Sequence, residues 1–394
     1  MEKLPESFYD CHIERSGTDC YKYDAPLPEG AREDTLPMWV ADMDIRTVPA
    51  VTEALTKASA HGIFGYAFTD AEYDRLVCDW YKKRMDWDIE PAWIVKTPGV
   101  VFAVGMAVQA YTQPGDSVLI QQPVYHPFAN VIRDNGRLTV VNELVCENGT
   151  YHVDYADFEE KITENKVKAF VLCSPHNPIA KVWTRQELET MCEICRKHGV
   201  IIISDEIHSD FVYPGFRHIP TASLSPEIAM RTVTCTAPSK TFNIAGLQAS
   251  NIIIPDAQLR KRYEATFHAT GCGGLNCLSI VATKAAYREG EAWLEGLLDY
   301  LSENVRILRE ELKNTPISLI EPEGTYLMWL DCRALGMTAD ALNAFFLQKA
   351  GVWCNRGDMF GAGGAGFMRM NIGCTHGTVR EAVRRLQLAT EELQ

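Results

Sequence analysis

No stretch of this 394-residue chain comes near the ~20 consecutive apolar residues of a membrane-spanning helix. The opening Met1-Glu2-Lys3-Leu4-Pro5-Glu6-Ser7 lacks the apolar centre of a secretory signal. Basic residues are short as well: 38 Lys and Arg face 52 Asp and Glu, a formal net charge of −14. Without a cationic surplus, neither general nucleic-acid binding nor docking on an anionic bilayer is expected. Thirteen cysteines without secretory context read as reduced thiols of a cytoplasmic protein. Cys192-Glu193-Ile194-Cys195 has metal-site spacing but no second pair at zinc-finger distance, so it reads as two packed positions on a helix over 185–198, and no metal is expected. Internal repeats and low-complexity tracts are also missing.

The middle of the chain instead alternates short apolar runs, polar turns and amphipathic stretches. The runs fall at 117–120, 169–173, 200–204, 232–235 and 251–254, with helical patterns at 157–164 and 184–198 between them. Thr184 followed by Glu187 is a capping-box signature for the second helix. Continuous β-branched runs alternating with helices predict an α/β fold with a largely parallel sheet covered on both faces. Gly361-Ala362-Gly363-Gly364-Ala365-Gly366 matches the dinucleotide pattern GxGxxG, but the strand-like alternation after it makes it a flexible glycine loop. Asn148-Gly149-Thr150 reads as a turn. A long helical region over 278–314 leads into a smaller αβ unit, with strands at 324–330 and 367–372 and helices at 338–350 and 378–392. The expected division is an N-terminal segment (1–48) joining a small C-terminal domain (291–394), with a large domain over 49–290.

In a parallel sheet, ligands gather at the carboxyl ends of the strands. Asn177, Asp205 and Lys240 follow three of the apolar runs and fall at that edge. A lysine on a polar turn at the rim of a buried sheet is placed to be desolvated and used as a nucleophile.

These three residues and the words around them resemble fold-type-I enzymes dependent on pyridoxal 5′-phosphate (PLP), in the class I/II aminotransferase superfamily. Met38-Trp39-Val40-Ala41-Asp42-Met43-Asp44, Ser204-Asp205-Glu206-Ile207-His208-Ser209-Asp210 and Ala237-Pro238-Ser239-Lys240-Thr241-Phe242-Asn243 are similar to the MalY/PatB-type cystathionine β-lyase branch. The resemblance runs from about Tyr23 to Leu386. It implies a mostly parallel large-domain sheet of about seven strands beside a smaller α/β domain.

The resemblance also implies a role for each matching residue. Lys240 is the lysine that carries the cofactor and then takes the substrate's Cα proton. Asp205 pairs with the pyridine nitrogen, and Asn177 donates to the phenolic oxygen while lying beside the substrate. Tyr125 stacks on the ring and stands near the leaving group. Gly99, Val100 and Val101 form a phosphate loop at a helix N-terminus, with Thr236 and Ser239 adding hydroxyls. Tyr66 reaches the phosphate of the neighbouring subunit, which makes the active unit a homodimer. Arg369 clamps the substrate carboxylate through its planar fork. Trp39 and residues 355–360 are candidate walls of the side-chain pocket.

Two departures point the same way. Many aminotransferases have a phosphate-anchoring arginine where this chain has Gln248, and a tyrosine where it has His208. Both agree with the lyase branch. The expected reaction is α,β-elimination of a cysteine S-conjugate such as L-cystathionine to a thiol, pyruvate and ammonia. Transamination on the same groups, and a PLP-binding regulatory protein with vestigial catalysis, are the alternatives.

Overall fold

A computed structural model describes residues 3–393. Among the described residues, fourteen strands form three sheets. In chain order these are β1 (Leu36–Pro37), β2 (Ile94–Thr97), β3 (Ser117–Gln122), β4 (Leu138–Glu147), β5 (Thr150–Val153), β6 (Ala169–Cys173) and β7 (Ile201–Asp205). They continue with β8 (Thr232–Thr236), β9 (Ser250–Ile253), β10 (Ser318–Leu319), β11 (Leu327–Asp331), β12 (Val352–Trp353), β13 (Asn355–Arg356) and β14 (Phe367–Asn371).

The large sheet has the order β2-β9-β8-β7-β6-β3-β4-β5. Strands β4, β3, β6, β7 and β8 are parallel, β9 lies reversed between β8 and β2, and β5 folds back on β4. The sheet therefore has eight strands, one more than the resemblance implied. The extra edge comes from Asn148 and Gly149, whose φ of 50° and 79° make the left-handed two-residue turn of a β-hairpin.

Alternation along each strand explains why the runs are apolar throughout. Val171 and Cys173 of β6 pack under the helices Val100–Tyr111 and Ala257–Ala269, while Phe170 and Leu172 face Tyr155–Glu164 and Arg185–Lys197. Both faces are thus dry, as a covered parallel sheet requires. Thr184 and Glu187 make the reciprocal capping box that starts Arg185–Lys197. Cys192 and Cys195 lie fully buried on that helix, against the sheet.

The helix expected over 278–314 is two helices, Cys277–Glu289 and Glu291–Leu312, which meet at Gly290. A side chain there would collide with the Phe242 ring and the Ala286 carbonyl, so the break lets a core aromatic pass. The strand expected from 324 begins at Leu327, because Thr325 takes a left-handed φ of 62° just before it. Strands β10, β11, β14 and β13 form a second, antiparallel sheet. The N-terminal β1 pairs in parallel with β12 beside it. No described helix is long and apolar enough to cross a membrane.

Candidate active site

Three parallel strand ends set the site. Asp205, the last residue of β7, lies in register with Cys173 of β6 and Cys235 of β8. Asn177 follows β6, and Lys240 sits on the short helix Pro238–Thr241 that follows β8. The topology thus gathers all three at one edge. They line a cavity of about 210 Å³ together with Gly99, Val100, Val101, Tyr125, His208 and Ser239. A roomier groove of about 570 Å³ lies along Pro49–His61 but holds none of these groups.

Burial sets the charges here. Asp205 is 4% exposed, and one of its oxygens accepts the Ile207 N–H at 3.1 Å. Desolvation pushes its carboxyl up to about 7, against the Ile207 hydrogen bond and the Lys240 charge. Burial brings the Lys240 amine down to about 8; Arg369 adds to that, while Asp42 and Asp205 oppose it. The amine donates to the Ala41 carbonyl at 2.5 Å. His208 is held down at about 3 by burial and then by Lys240 and Arg369, so its ring is neutral. Its Nδ1 is buried with no hydrogen-bond partner.

Arg369, on β14, brings the second sheet to this edge. Its Nη1 donates to Asn177 Oδ1 at 3.0 Å, and its Nη2 to Asn355 Oδ1 at 2.6 Å and to the Trp39 carbonyl at 3.0 Å. Phe360 lies under the guanidinium, 5.0 Å from ring centre to Cζ. Burial lowers Arg369 to about 10, which leaves it charged at neutral pH. Its Nε is a buried donor without a partner, the kind of orphan that an incoming anion satisfies. Because Oδ1 of Asn177 faces Arg369, its amide N–H donors are left for the cavity. Tyr125 is tied in through its backbone N–H, which donates to the Asn177 carbonyl at 3.0 Å.

Three expected residues, Thr236, Gly99 and Trp39, stand differently. Thr236 is fully buried and its hydroxyl donates to the Asn251 carbonyl at 2.7 Å, so it does not line the cavity. The alternation of β8 turns it into the sheet. The Gly99 amide is already donated to Thr97 and Ser250, whereas Val100 and Val101 open the helix Val100–Tyr111 with amides that have no partner in the helix. Gly99 contributes a φ of 103° that few other residues adopt. The Trp39 ring stacks on Trp353 at 4.2 Å, and it is its carbonyl that meets Arg369. Tyr66 is fully exposed in the single chain, as a residue that meets a neighbouring subunit would be. Gln248 is exposed too, at a left-handed φ of 53°.

Sequence reading missed Ala41, Ile207, Tyr326 and Asn371, and it named Asn355 as a pocket wall where the structure makes it an acceptor for Arg369. Tyr326 donates to the Ala41 carbonyl at 3.0 Å, and Asn371 donates to the carbonyls of Val40 and Asp42 at 2.5 and 2.6 Å. A polar asparagine two residues beyond Arg369, on a strand buried throughout, was the one available signal for Asn371.

The donor set fits PLP. Partnerless helix amides suit a phosphate, and a buried carboxyl with one oxygen open suits a protonated ring nitrogen. A desolvated amine suits the aldehyde, and the orphaned Arg369 Nε suits an amino-acid carboxylate.

Known proteins agree with this assignment. The family model for aminotransferase class I and II matches residues 37–386. Cystathionine β-lyase PatB of Bacillus subtilis is 44% identical over 97% of this chain and 99% of its own length. Protein MalY of Escherichia coli is 31% identical over 95% of this chain and 96% of its own. The structure of cystalysin from Treponema denticola, which contains a PLP cofactor, superposes with a TM-score of 0.94 at 36% identity, covering 98% and 99% of the two chains. A lysine, an aspartate and an arginine meet at one strand edge, in a chain matched along nearly its whole length. This chain therefore belongs to the PLP-dependent class I and II aminotransferase family, in the branch that holds PatB and MalY.

Proposed function

We propose that the protein is a PLP-dependent carbon–sulfur β-lyase that cleaves L-cystathionine or another cysteine S-conjugate to a thiol, pyruvate and ammonia. The observation that carries this reading is the meeting of Lys240, Asp205 and Asn177 at one cavity, with Arg369 hydrogen-bonded to Asn177 behind it. The PatB likeness favours elimination over transamination.

Bound PLP supplies an electron sink for negative charge that develops at the substrate Cα. The protein's own groups do the rest. Arg369 orients the α-carboxylate through its free N–H groups, and Asn177 fixes Arg369. The Lys240 amine, made less basic by burial, takes the Cα proton. The Cβ–S bond then breaks with its electron pair on sulfur, and Tyr125, which lines the cavity, is the proposed proton donor to the thiolate. Asp205 would pair with the protonated ring nitrogen of bound PLP. The remaining unsaturated product takes up water to give pyruvate and ammonia.

Tyr66, together with Ile63, Phe64 and Phe68, makes an exposed apolar segment, which a second copy of the chain would cover. This supports a homodimer in which Tyr66 completes the neighbouring phosphate site. The thirteen unpaired cysteines suit a reducing cytoplasm. A small domain made of 1–48 and 291–394 beside a large one over 49–290 agrees with the pairing of β1 and β12. The test is a panel of cysteine S-conjugates with wild-type protein and Lys240→Ala. Wild-type turnover by Lys240→Ala would remove the lysine from the reaction.

A further inference from the structure

Two donors meet on one backbone oxygen beside the reacting lysine. The Ala41 carbonyl accepts Lys240 Nζ at 2.5 Å and Tyr326 Oη at 3.0 Å. Tyr326 is fully buried just ahead of β11, with its ring edge-on to Phe211 at 4.9 Å and to His208 at 5.9 Å. The carbonyl belongs to a segment that is held on both sides. Arg369 takes the Trp39 oxygen, and Asn371 takes those of Val40 and Asp42. The acceptor is therefore fixed by other residues, and the lysine and the phenol divide it.

We propose that Tyr326 is a positioning residue that shares the Ala41 carbonyl with Lys240, loosens its hold on the lysine's ammonium form and so keeps the amine ready to act as a base. This rests on Lys240 being the cofactor-bearing lysine. A hydrogen bond to the charged form of a group favours that form, so an oxygen already engaged by a phenol stabilises the ammonium less. Asp42 from the 38–45 segment and Asp205 from β7 face the amine and favour its charge. Arg369 from β14 opposes it, and His208 faces it as a neutral ring. Tyr326→Phe leaves all four in place and keeps the packed ring.

The test uses the full-length chain freed of PLP and an amine-reactive probe read at Lys240 by mass spectrometry across pH. Tyr326→Phe should move the labelling midpoint up by about half a pH unit, with labelling at pH 7 falling about threefold. In the PLP-loaded enzyme, kcat at neutral pH should fall about threefold with KM little changed, and the deficit should shrink as pH rises. A merely structural residue would lower activity at every pH and leave the midpoint alone. An unchanged or lowered midpoint overturns the inference. Should the Phe variant fail to fold, fluorotyrosine placed at position 326 is the second probe. As a stronger donor it should move the midpoint down, and no downward shift overturns the inference. Borohydride reduction of the loaded wild type separates the two failures. Cofactor mass on a lysine other than Lys240 sinks the functional reading itself, while mass on Lys240 with an unmoved midpoint sinks only the role of Tyr326.

Discussion

Arg369 Nη1 donates to Asn177 Oδ1 at 3.0 Å, joining side chains that lie 192 residues apart in the chain. In the proposed reaction one asparagine would thereby set both the carboxylate clamp and the donor that faces the cofactor. Asn177→Ala would leave a buried guanidinium N–H without its acceptor, a loss of about 1–3 kcal/mol. KM for the amino-acid substrate should rise about tenfold or more, and PLP should bind more weakly. Steady-state kinetics and a cofactor titration of the same variant read both effects.

Arg369→Lys keeps the charge but loses the planar fork and the contact across Phe360. A lysine cannot replace two parallel hydrogen bonds, so kcat/KM should drop by about one to two powers of ten, chiefly through KM. A variant with wild-type KM would place the carboxylate elsewhere.

Asp205 links the site to stability. Its folded value of about 7 lies above the ordinary 3.8, so its contribution to the cofactor-free chain is complete below about pH 4 and is lost as pH rises through 7. At pH 8 an ionised, unpaired Asp205 costs on the order of 4 kcal/mol. Cofactor-free Asp205→Asn should therefore melt above the cofactor-free wild type at pH 8, with the difference vanishing near pH 4. The same variant should hold PLP poorly, because no charge remains to pair with the ring nitrogen. Paired melting curves at the two pH values, with and without PLP, check the sign.

How far the sequence disclosed this site depended on what kind of group was doing the work. Continuous apolar runs located β6, β7 and β8, and their parallel order put Asn177, Asp205 and Lys240 at one edge. The face of a residue at the end of a strand was harder to see. Thr236 and Ser239 both read as hydroxyl donors, yet only Ser239 lines the cavity. A backbone acceptor has no signature at all, which is why the Ala41 carbonyl was invisible and, with it, the role of Tyr326. The hairpin strand β5 carries no continuous apolar run, since Thr150-Tyr151-His152-Val153 alternates exposed and buried, and only its pairing with β4 shows it as a strand. Gly290 was hidden within a helical pattern, since only the packed Phe242 ring shows why the helix must stop.

Tyr66 can be tested by complementation between subunits. Tyr66→Ala and Lys240→Ala, each weakly active or inactive alone, should yield mixed dimers with one intact site when produced together. With random pairing that restores about a quarter of wild-type activity, as expected for a symmetric dimer with a shared site. Activity no greater than the sum of the two parents would return Tyr66 to its own chain.

The most direct test of elimination at Lys240 is the product balance of the purified, PLP-loaded wild-type protein on L-cystathionine with no 2-oxo acid present. The account predicts thiol and pyruvate released in equal amounts, turnover after turnover. Product formation that stops after one equivalent per site and resumes only when a 2-oxo acid is added would contradict it, and would make the protein an aminotransferase.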